Sequence, residues 1–256
     1  MIFDNHMHTE FSFDSEMKVK DAIAKADKLG MGIVFTEHFD YDYPGEEDFT
    51  FPPEAYMEAY SPFRCDRLRL GVEIGMTKAS REANKQFINK APFDLVIGSI
   101  HLLNGRDIYF PDFYRNRSKE EVYRTYFTAM AEEAAVQDID VLGHIDYMAR
   151  YAPYAEPKLD YTCFKEEIDE VLRIILDRGI VMELNSRRLG DRQALEELTP
   201  IYSRYRDMGG KYVTIGSDAH TADAIGANFN TALDFIETVG LRQVTFCERK
   251  LQIVAP

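Results

Sequence analysis

The six histidines of this chain all follow short β-prone runs, and carboxylates accompany them. Run 2–5 leads into His6 and His8 as an H-x-H pair, with Asp14 shortly beyond. Run 32–36 leads to Glu37 and His38, run 70–73 ends at Glu73, run 94–99 leads to His101 and run 140–143 to His144. Run 180–184 carries Glu183 with Asn185 behind it, and run 212–216 leads to Asp218 and His220. Side chains alternate along a strand, so H-x-H presents both imidazoles to one face, and Glu183 and Asn185 share a face in the same way. One such histidine alone reads as a hydrogen-bonded structural residue. Six at strand ends read together as metal ligands. Imidazoles and carboxylates without a thiolate suit zinc, iron or manganese and argue against a magnesium-only or calcium site. Six histidines with Glu73, Asp218 and Asp14 are too many donors for one ion and fit two or three divalent transition-metal ions. A multinuclear site points to phosphate-ester hydrolysis, where metals lower the pKa of a bound water and hold the phosphoryl oxygens.

The elements that must position these groups are legible in the apolar pattern. The seven runs are short and rich in Val, Ile and Leu, as in a buried parallel sheet. Helical patterns lie between them. Phe164, Ile168, Val171, Leu172, Ile175 and Leu176 build one apolar face, and Val122, Tyr126, Phe127, Met130 and Ala134 another. Ile225, Phe229, Leu233 and Ile236 repeat the spacing, and a first helix over 19–29 stops at Gly30. Strand and helix in alternation predict a closed β/α barrel with its reacting groups at the C-terminal ends of the strands. The longest irregular stretch, 39–53, with Tyr41, Tyr43, Pro44, Gly45, Pro52 and Pro53, reads as a lid or binding loop.

Composition narrows the remaining classes. The 256 residues are 45% hydrophobic and 29% charged, an ordinary globular balance, and no Gly/Ser linker or composition break divides them, so a single domain over 1–256 is expected. No stretch approaches the roughly 18 to 20 apolar residues of a membrane helix. The opening MIFDNHMHTE lacks a basic and then apolar leader, which makes a cytoplasmic protein the expectation and a membrane partner unexpected. Cys65, Cys163 and Cys247 are far apart and read as free thiols. A formal charge of −14 without a run of Lys and Arg argues against nucleic acid as a partner.

The motifs HMH, TEH, VEIG, GSIH, GHIDY, MELN and GSDAH together resemble those of the PHP superfamily, named for polymerase and histidinol phosphatase. The resemblance runs from His6 to His220. The pairing of GSIH with GSDAH and a following IGANF is similar to the monofunctional histidinol-phosphate phosphatases. It implies a distorted seven-stranded (β/α)7 barrel, like a TIM barrel, with a trinuclear site. In that scheme His6, His8, Glu73 and Asp218 hold one metal, a bridging Glu73 with His101 and His144 a second, and Asp14, His38 and His220 the third. Glu37 reads as a carboxylate outside the ligand set.

The expected substrate is a small-molecule phosphate ester, L-histidinol phosphate by resemblance, hydrolysed to L-histidinol and phosphate in histidine biosynthesis by attack of a metal-bound hydroxide. Glu73 and Asp218 are the expected catalytic carboxylates, Asp218 as one candidate for protonating the leaving group. A phosphate dianion also calls for arginine. Arg150 after GHIDY, and Arg187 or Arg188 after MELN, lie in loops beyond two of the predicted strands, where similar arginines bind phosphate in the histidinol phosphatases. The acidic loop 40–48 is a candidate for receiving the cationic end of that substrate. Competing readings keep the same ligands: another phosphate ester such as a nucleotide, or a metal-binding module without catalysis. Oligomeric state is not encoded in any of these features.

Overall fold

The computed structural model describes residues 1–254, and all seven predicted runs form strands in it. They are β1 (Phe3–Asp4), β2 (Gly32–Phe39), β3 (Leu68–Gly75), β4 (Val96–Ser99), then, after a small hairpin of β5 (Leu102–Leu103) and β6 (Arg106–Asp107), β7 (Val141–Leu142), β8 (Val181–Asn185) and β9 (Tyr212–Gly216). The seven are parallel, each bonded to the next. The first and seventh meet through their main chains: Asn5 N–H donates to Ile215 O at 2.9 Å and Asp218 N–H to His6 O at 2.8 Å. The sheet is thereby closed at the C-terminal ends of its strands, and the expected distorted, TIM-barrel-like fold is present.

Helices α1 (Val19–Leu29), α2 (Pro53–Tyr60), α3 (Arg81–Ile88), α4 (Lys119–Ala134), α5 (Tyr147–Tyr151), α6 (Lys165–Arg178), α7 (Arg192–Asp207) and α8 (Phe229–Val239) clothe the barrel. Gly30 is left-handed and ends α1 as expected. The pattern from Ile225 forms a helix only from Phe229, because Asn228 is left-handed. Apolar helix faces such as Ile168, Val171, Leu172 and Ile175 are fully buried against the outward side of the strands. None of the helices among the described residues is long and apolar enough to cross a membrane.

Besides the β5–β6 hairpin, two strands extend the main sheet beyond the expected seven. β10 (Arg242–Cys247) pairs with the lower part of β9, and β11 (Lys250–Ile253) pairs antiparallel with β10. They plug the N-terminal mouth of the barrel: Val244 and Phe246 pack with Phe3, Val34, Leu95, Ile97, Val141 and Val181 as a separate apolar cluster. Arg69 ties the plug down, donating to Phe246 O at 2.6 Å and Gln252 Oε1 at 2.7 Å.

The inward faces are consequently layered. Val34, Thr36 and His38 of β2 share one face, as do Arg69, Gly71 and Glu73 of β3. Each strand begins among apolar neighbours and ends among charged ones. Space at the charged end is made where side chains stop at hydrogen: a Cβ on Gly216 would stand 2.4 Å from His6 Cβ and 2.5 Å from Glu183 Oε1. Only glycine lets the first imidazole lie against the seventh strand.

Candidate metal centre

Glu73, at the end of β3, is fully buried. His6 Nε2 and His38 Nδ1 each lie 3.1 Å from its Oε2, and His8 Nε2 lies 3.5 Å away. His144 Nε2 lies 2.9 Å and His101 Nε2 3.4 Å from its Oε1, which also accepts from Ser99 Oγ at 2.6 Å. Five of the six histidines thus reach one carboxylate. The sixth, His220, lies 3.1 Å from Asp14 Oδ2 and 3.8 Å from Asp218 Oδ1.

The outer nitrogens of four rings are held, so their inner nitrogens are aimed. His6 Nδ1 meets Glu183 Oε1 at 2.6 Å, His8 Nδ1 meets Ser12 Oγ at 3.2 Å, His101 Nδ1 meets Asp40 Oδ1 at 2.9 Å and His220 Nδ1 meets Asp218 O at 3.0 Å. A histidine that ligates a metal uses its second nitrogen in this way. Glu183 serves two residues, since its other oxygen accepts from His144 N–H at 2.7 Å. Glu37 stands behind the ring, accepting from Thr9 N–H at 2.8 Å, Thr9 Oγ1 at 2.6 Å and Ser12 Oγ at 2.7 Å. It makes no contact with the donor ring's centre and instead fixes the loop that carries His8.

Among the described residues, four groups of three donors each bring their ligand atoms within 4.8 Å of one another: His6, His8 and Asp218; His6, Glu73 and His144; His38, Asp40 and His101; and His8, His38 and His220. The donors fit metal ions on two observations. His6 Nε2 and His8 Nε2 are 3.1 Å apart with Glu73 Oε2 beside them, and that oxygen is buried without a hydrogen-bond donor. Lone pairs converging on one point need a shared cation. The absence of sulfur and the preponderance of imidazole match zinc, iron or manganese.

Electrostatics follow the geometry. Burial would raise the Glu73 carboxyl, but His6, His101 and His38 outweigh it and hold it well below the ordinary carboxylate range. Burial lowers His38, yet Glu73, Asp40 and Asp14 carry it up to about 9. His8 is driven well below its ordinary value by burial and by His38 and His220, which leaves it neutral with a free lone pair. For Arg150 the cost of burial is outweighed by Asp146 and Asp218, which keep the guanidinium charged.

The candidate arginines divide. Arg150 is buried and donates to Asp218 Oδ2 at 2.7 Å, so it steadies a carboxylate under the centre. Arg187 is half-exposed, 3.5 Å from Asp218 Oδ1, and lines the cavity above the ring. Arg188 does not line the cavity: its guanidinium is largely buried, donating to Asp146 at 2.9 Å and Glu197 at 2.9 Å, because a one-residue step in the tight turn Ser186–Arg188 sends adjacent side chains in different directions. Asp218, flanked by His8 on one oxygen and Arg150 on the other, is placed as an ionised carboxylate.

Asp40 is the group that sequence reasoning missed as a donor. It is buried, 2.9 Å from His101 and 3.6 Å from His38. The signal was present, since His38 and Asp40 form an H-x-D pair at a strand end just as His6 and His8 form H-x-H. Asp14 stands 3.7 Å from His38 beside its 3.1 Å contact with His220, at the rim. Above the ring opens a cavity of about 440 Å³, walled on one side by Tyr43, Glu47 and Phe49 from the loop after β2. That loop lines the site, as its length and composition suggested.

Comparison with known proteins agrees with this geometry. The PHP domain family matches residues 4–187. A protein of Clostridium acetobutylicum named "Probable histidinol-phosphatase" is 45% identical over 253 residues, covering 98% of this chain and 99% of its own length. The "Histidinol-phosphatase" of Lactococcus lactis subsp. lactis is 29% identical, covering 97% of this chain and 95% of its own. A crystal structure of the histidinol phosphate phosphatase from Lactococcus lactis, complexed with zinc, L-histidinol and phosphate, superposes with a TM-score of 0.89 at 29% identity and 98% coverage of both chains.

Proposed function

The chain belongs to the PHP domain family, and on that premise we propose that it is a metal-dependent phosphomonoesterase that hydrolyses L-histidinol phosphate to L-histidinol and phosphate. The observation that carries this reading is the convergence of five imidazoles on the buried Glu73 at the floor of an open cavity. The relative that holds zinc, L-histidinol and phosphate supports it.

We assign His6, His8, Glu73 and Asp218 to one ion, Glu73, His101 and His144 to a second, and Asp14, His38 and His220 to a third, with Asp40 serving His101 and His38 from behind. Two or three divalent ions bound there lower the pKa of water and offset negative charge on phosphoryl oxygens. The protein's own groups do the rest. Glu73 spans the ring with both oxygens, so its carboxylate fixes the spacing of the donors on either side. Arg187, half-exposed on the cavity wall, supplies a cation for an incoming phosphate in a chain of charge −14. Arg150 acts through Asp218, holding that carboxylate ionised and oriented toward His8. No cysteine or serine nucleophile is called for.

The test is phosphate release by the purified protein loaded with zinc, manganese or iron, from histidinol phosphate and a panel of other monoesters including nucleotides. The highest kcat/KM is expected for histidinol phosphate. A preference for a nucleotide overturns the substrate, and no hydrolysis of any ester with metal bound overturns the enzyme class.

A further inference from the structure

Asp218 is held from behind by a line of buried charges that runs from the donor ring into helix α7. Its Oδ2 accepts from Arg150 Nη1 at 2.7 Å and from Asn185 Nδ2 at 3.3 Å, which leaves Oδ1 facing His8 Nε2 at 3.6 Å. The backbone at Asp218 is left-handed, with φ of 56°, a conformation that a residue other than glycine keeps only where its surroundings fix it. Behind Arg150 stands a second buried carboxylate, Asp146, two residues after His144. Its Oδ1 lies 3.8 Å from Arg150 Nη2, beyond hydrogen-bond length, and that nitrogen is buried without a partner. Two carboxylates thus flank one guanidinium, and the guanidinium sits on Asp218. Arg188 tips the balance. It donates through Nη1 to Asp146 Oδ2 at 2.9 Å and through Nη2 to Glu197 Oε2 at 2.9 Å, on the buried face of α7. Glu197 is fixed in turn by Gln193 Nε2, 2.9 Å from its Oε1. Signs alternate along the whole line: Glu197, Arg188, Asp146, Arg150, Asp218.

We propose that Arg188 is a positioning residue for the metal centre: by occupying Asp146 it leaves Arg150 to Asp218, and so keeps Asp218 Oδ1 turned toward the donor ring. The inference rests on the proposed metal-dependent activity and adds to it control of the centre by a side chain outside the cavity. The physical reason is competition. A buried carboxylate without a cation is strongly unfavourable. Among the described residues Asp146 is paired with two cations, Arg188 closely and Arg150 loosely. Without Arg188, Asp146 turns to Arg150, whose Nη2 reaches hydrogen-bond length by a shift of about 1 Å. That shift loosens the bond from Nη1 to Asp218 and frees the carboxylate to rotate. Glu197 completes the device by pinning the second arm of Arg188, so that the fork stays in the plane that serves Asp146.

The experiment compares the full-length wild type with Arg188→Met and with the double variant Arg188→Met/Asp146→Asn. Zinc affinity is measured by chelator competition, the visible spectrum is recorded after cobalt loading, and kcat and KM are read on histidinol phosphate. In Arg188→Met zinc affinity and kcat are each expected to fall roughly 10- to 100-fold, as loss of a group that orients a ligand dictates. The cobalt spectrum should shift with them, and KM should stay within about twofold of wild type. The double variant removes the competing carboxylate, so affinity and kcat should recover to within about fivefold of wild type and the spectrum should return. Arg188→Lys, whose single ammonium holds Asp146 less firmly, should show the same changes in smaller measure and the same relief by Asp146→Asn; this pair carries the test if Arg188→Met does not fold. Unchanged affinity and spectrum on replacing Arg188 overturn the proposal. So does a loss that Asp146→Asn fails to relieve, which would trace to packing, and so does a raised KM with kcat and spectrum unmoved, which would place Arg188 on the substrate. Zinc affinity and the cobalt spectrum need no ester, so they judge the role of Arg188 even if histidinol phosphate proves not to be the substrate.

Discussion

The two ends of this barrel are made by the same strands and solve opposite problems. At the N-terminal end Val34, Leu95, Ile97, Val141 and Val181 close over Val244 and Phe246 of the hairpin plug, and stability is the product. At the C-terminal end the same strands finish in His38, Glu73, His101, His144, Glu183 and Asp218, where burial without a cation is unfavourable. A single strand shows both. Arg69 and Glu73 sit four residues apart on one face of β3; the first is committed to the plug and the second to the donor ring. Chemistry at one end is tolerated because the other end carries the fold.

This division can be broken in four graded ways. The largest effect is expected from Glu73→Gln, which removes the charge shared by five imidazoles: turnover should fall about a thousandfold or more, with bound zinc reduced. Near-normal turnover with full metal content would refute its role. Next is Phe246→Ala, which opens a void in the plug and should cost about 3 to 5 kcal/mol in unfolding free energy. Below its unfolding transition this variant should keep wild-type kcat; a matching loss of activity would mean that the two ends are not separable. Removal of metal with a chelator should abolish activity and destabilise the fold by about 2 to 4 kcal/mol at saturating metal. Hydrogen exchange should then rise at residues 38–52 and 99–110 and stay unchanged in β10, and a uniform rise would contradict the division. The smallest effect belongs to Arg249→Ala, which removes the clamp from the hairpin tip to Asp138 and Asp140 and should cost about 1 kcal/mol in a urea melt, with kcat unaltered.

How much of this the amino-acid pattern discloses also differs between the ends. The charged end is legible, because a histidine or carboxylate after one apolar run after another suits little besides shared ligation, and alternation places Glu183 and Asn185 on one face as observed. The exceptions are instructive. Asp40 was concealed by its place at the head of an acidic loop, where a carboxylate looks like solvent-facing charge. Arg187 and Arg188 look equivalent in the sequence, yet only Arg187 lines the cavity, because adjacent residues in a tight turn diverge, which spacing along a strand does not teach. The apolar end is less legible. The plug's hairpin turns at Glu248 and Arg249, both left-handed with φ of 50° and 60°, where the pattern for such turns is Asn-Gly. These conformations are held by partners remote in sequence: Glu248 N–H donates to Asp94 Oδ1 at 2.9 Å, and Arg249 forks onto Asp140. No local window contains that information.

The bond between the first and seventh strands carries a consequence for the order in which the protein matures. His6 and His8 reach Asp218 only when Asp218 N–H has found His6 O, a pairing of residues more than two hundred positions apart. Before that closure a growing chain displays Glu73, His38, His101 and His144 without their opposite wall, and non-local closure of this kind is slow. Metal held between His6, His8 and Asp218 would therefore report completed folding: a chain truncated before β9 retains five imidazoles and Glu73, yet lacks Asp218 and His220, which complete that end of the ring.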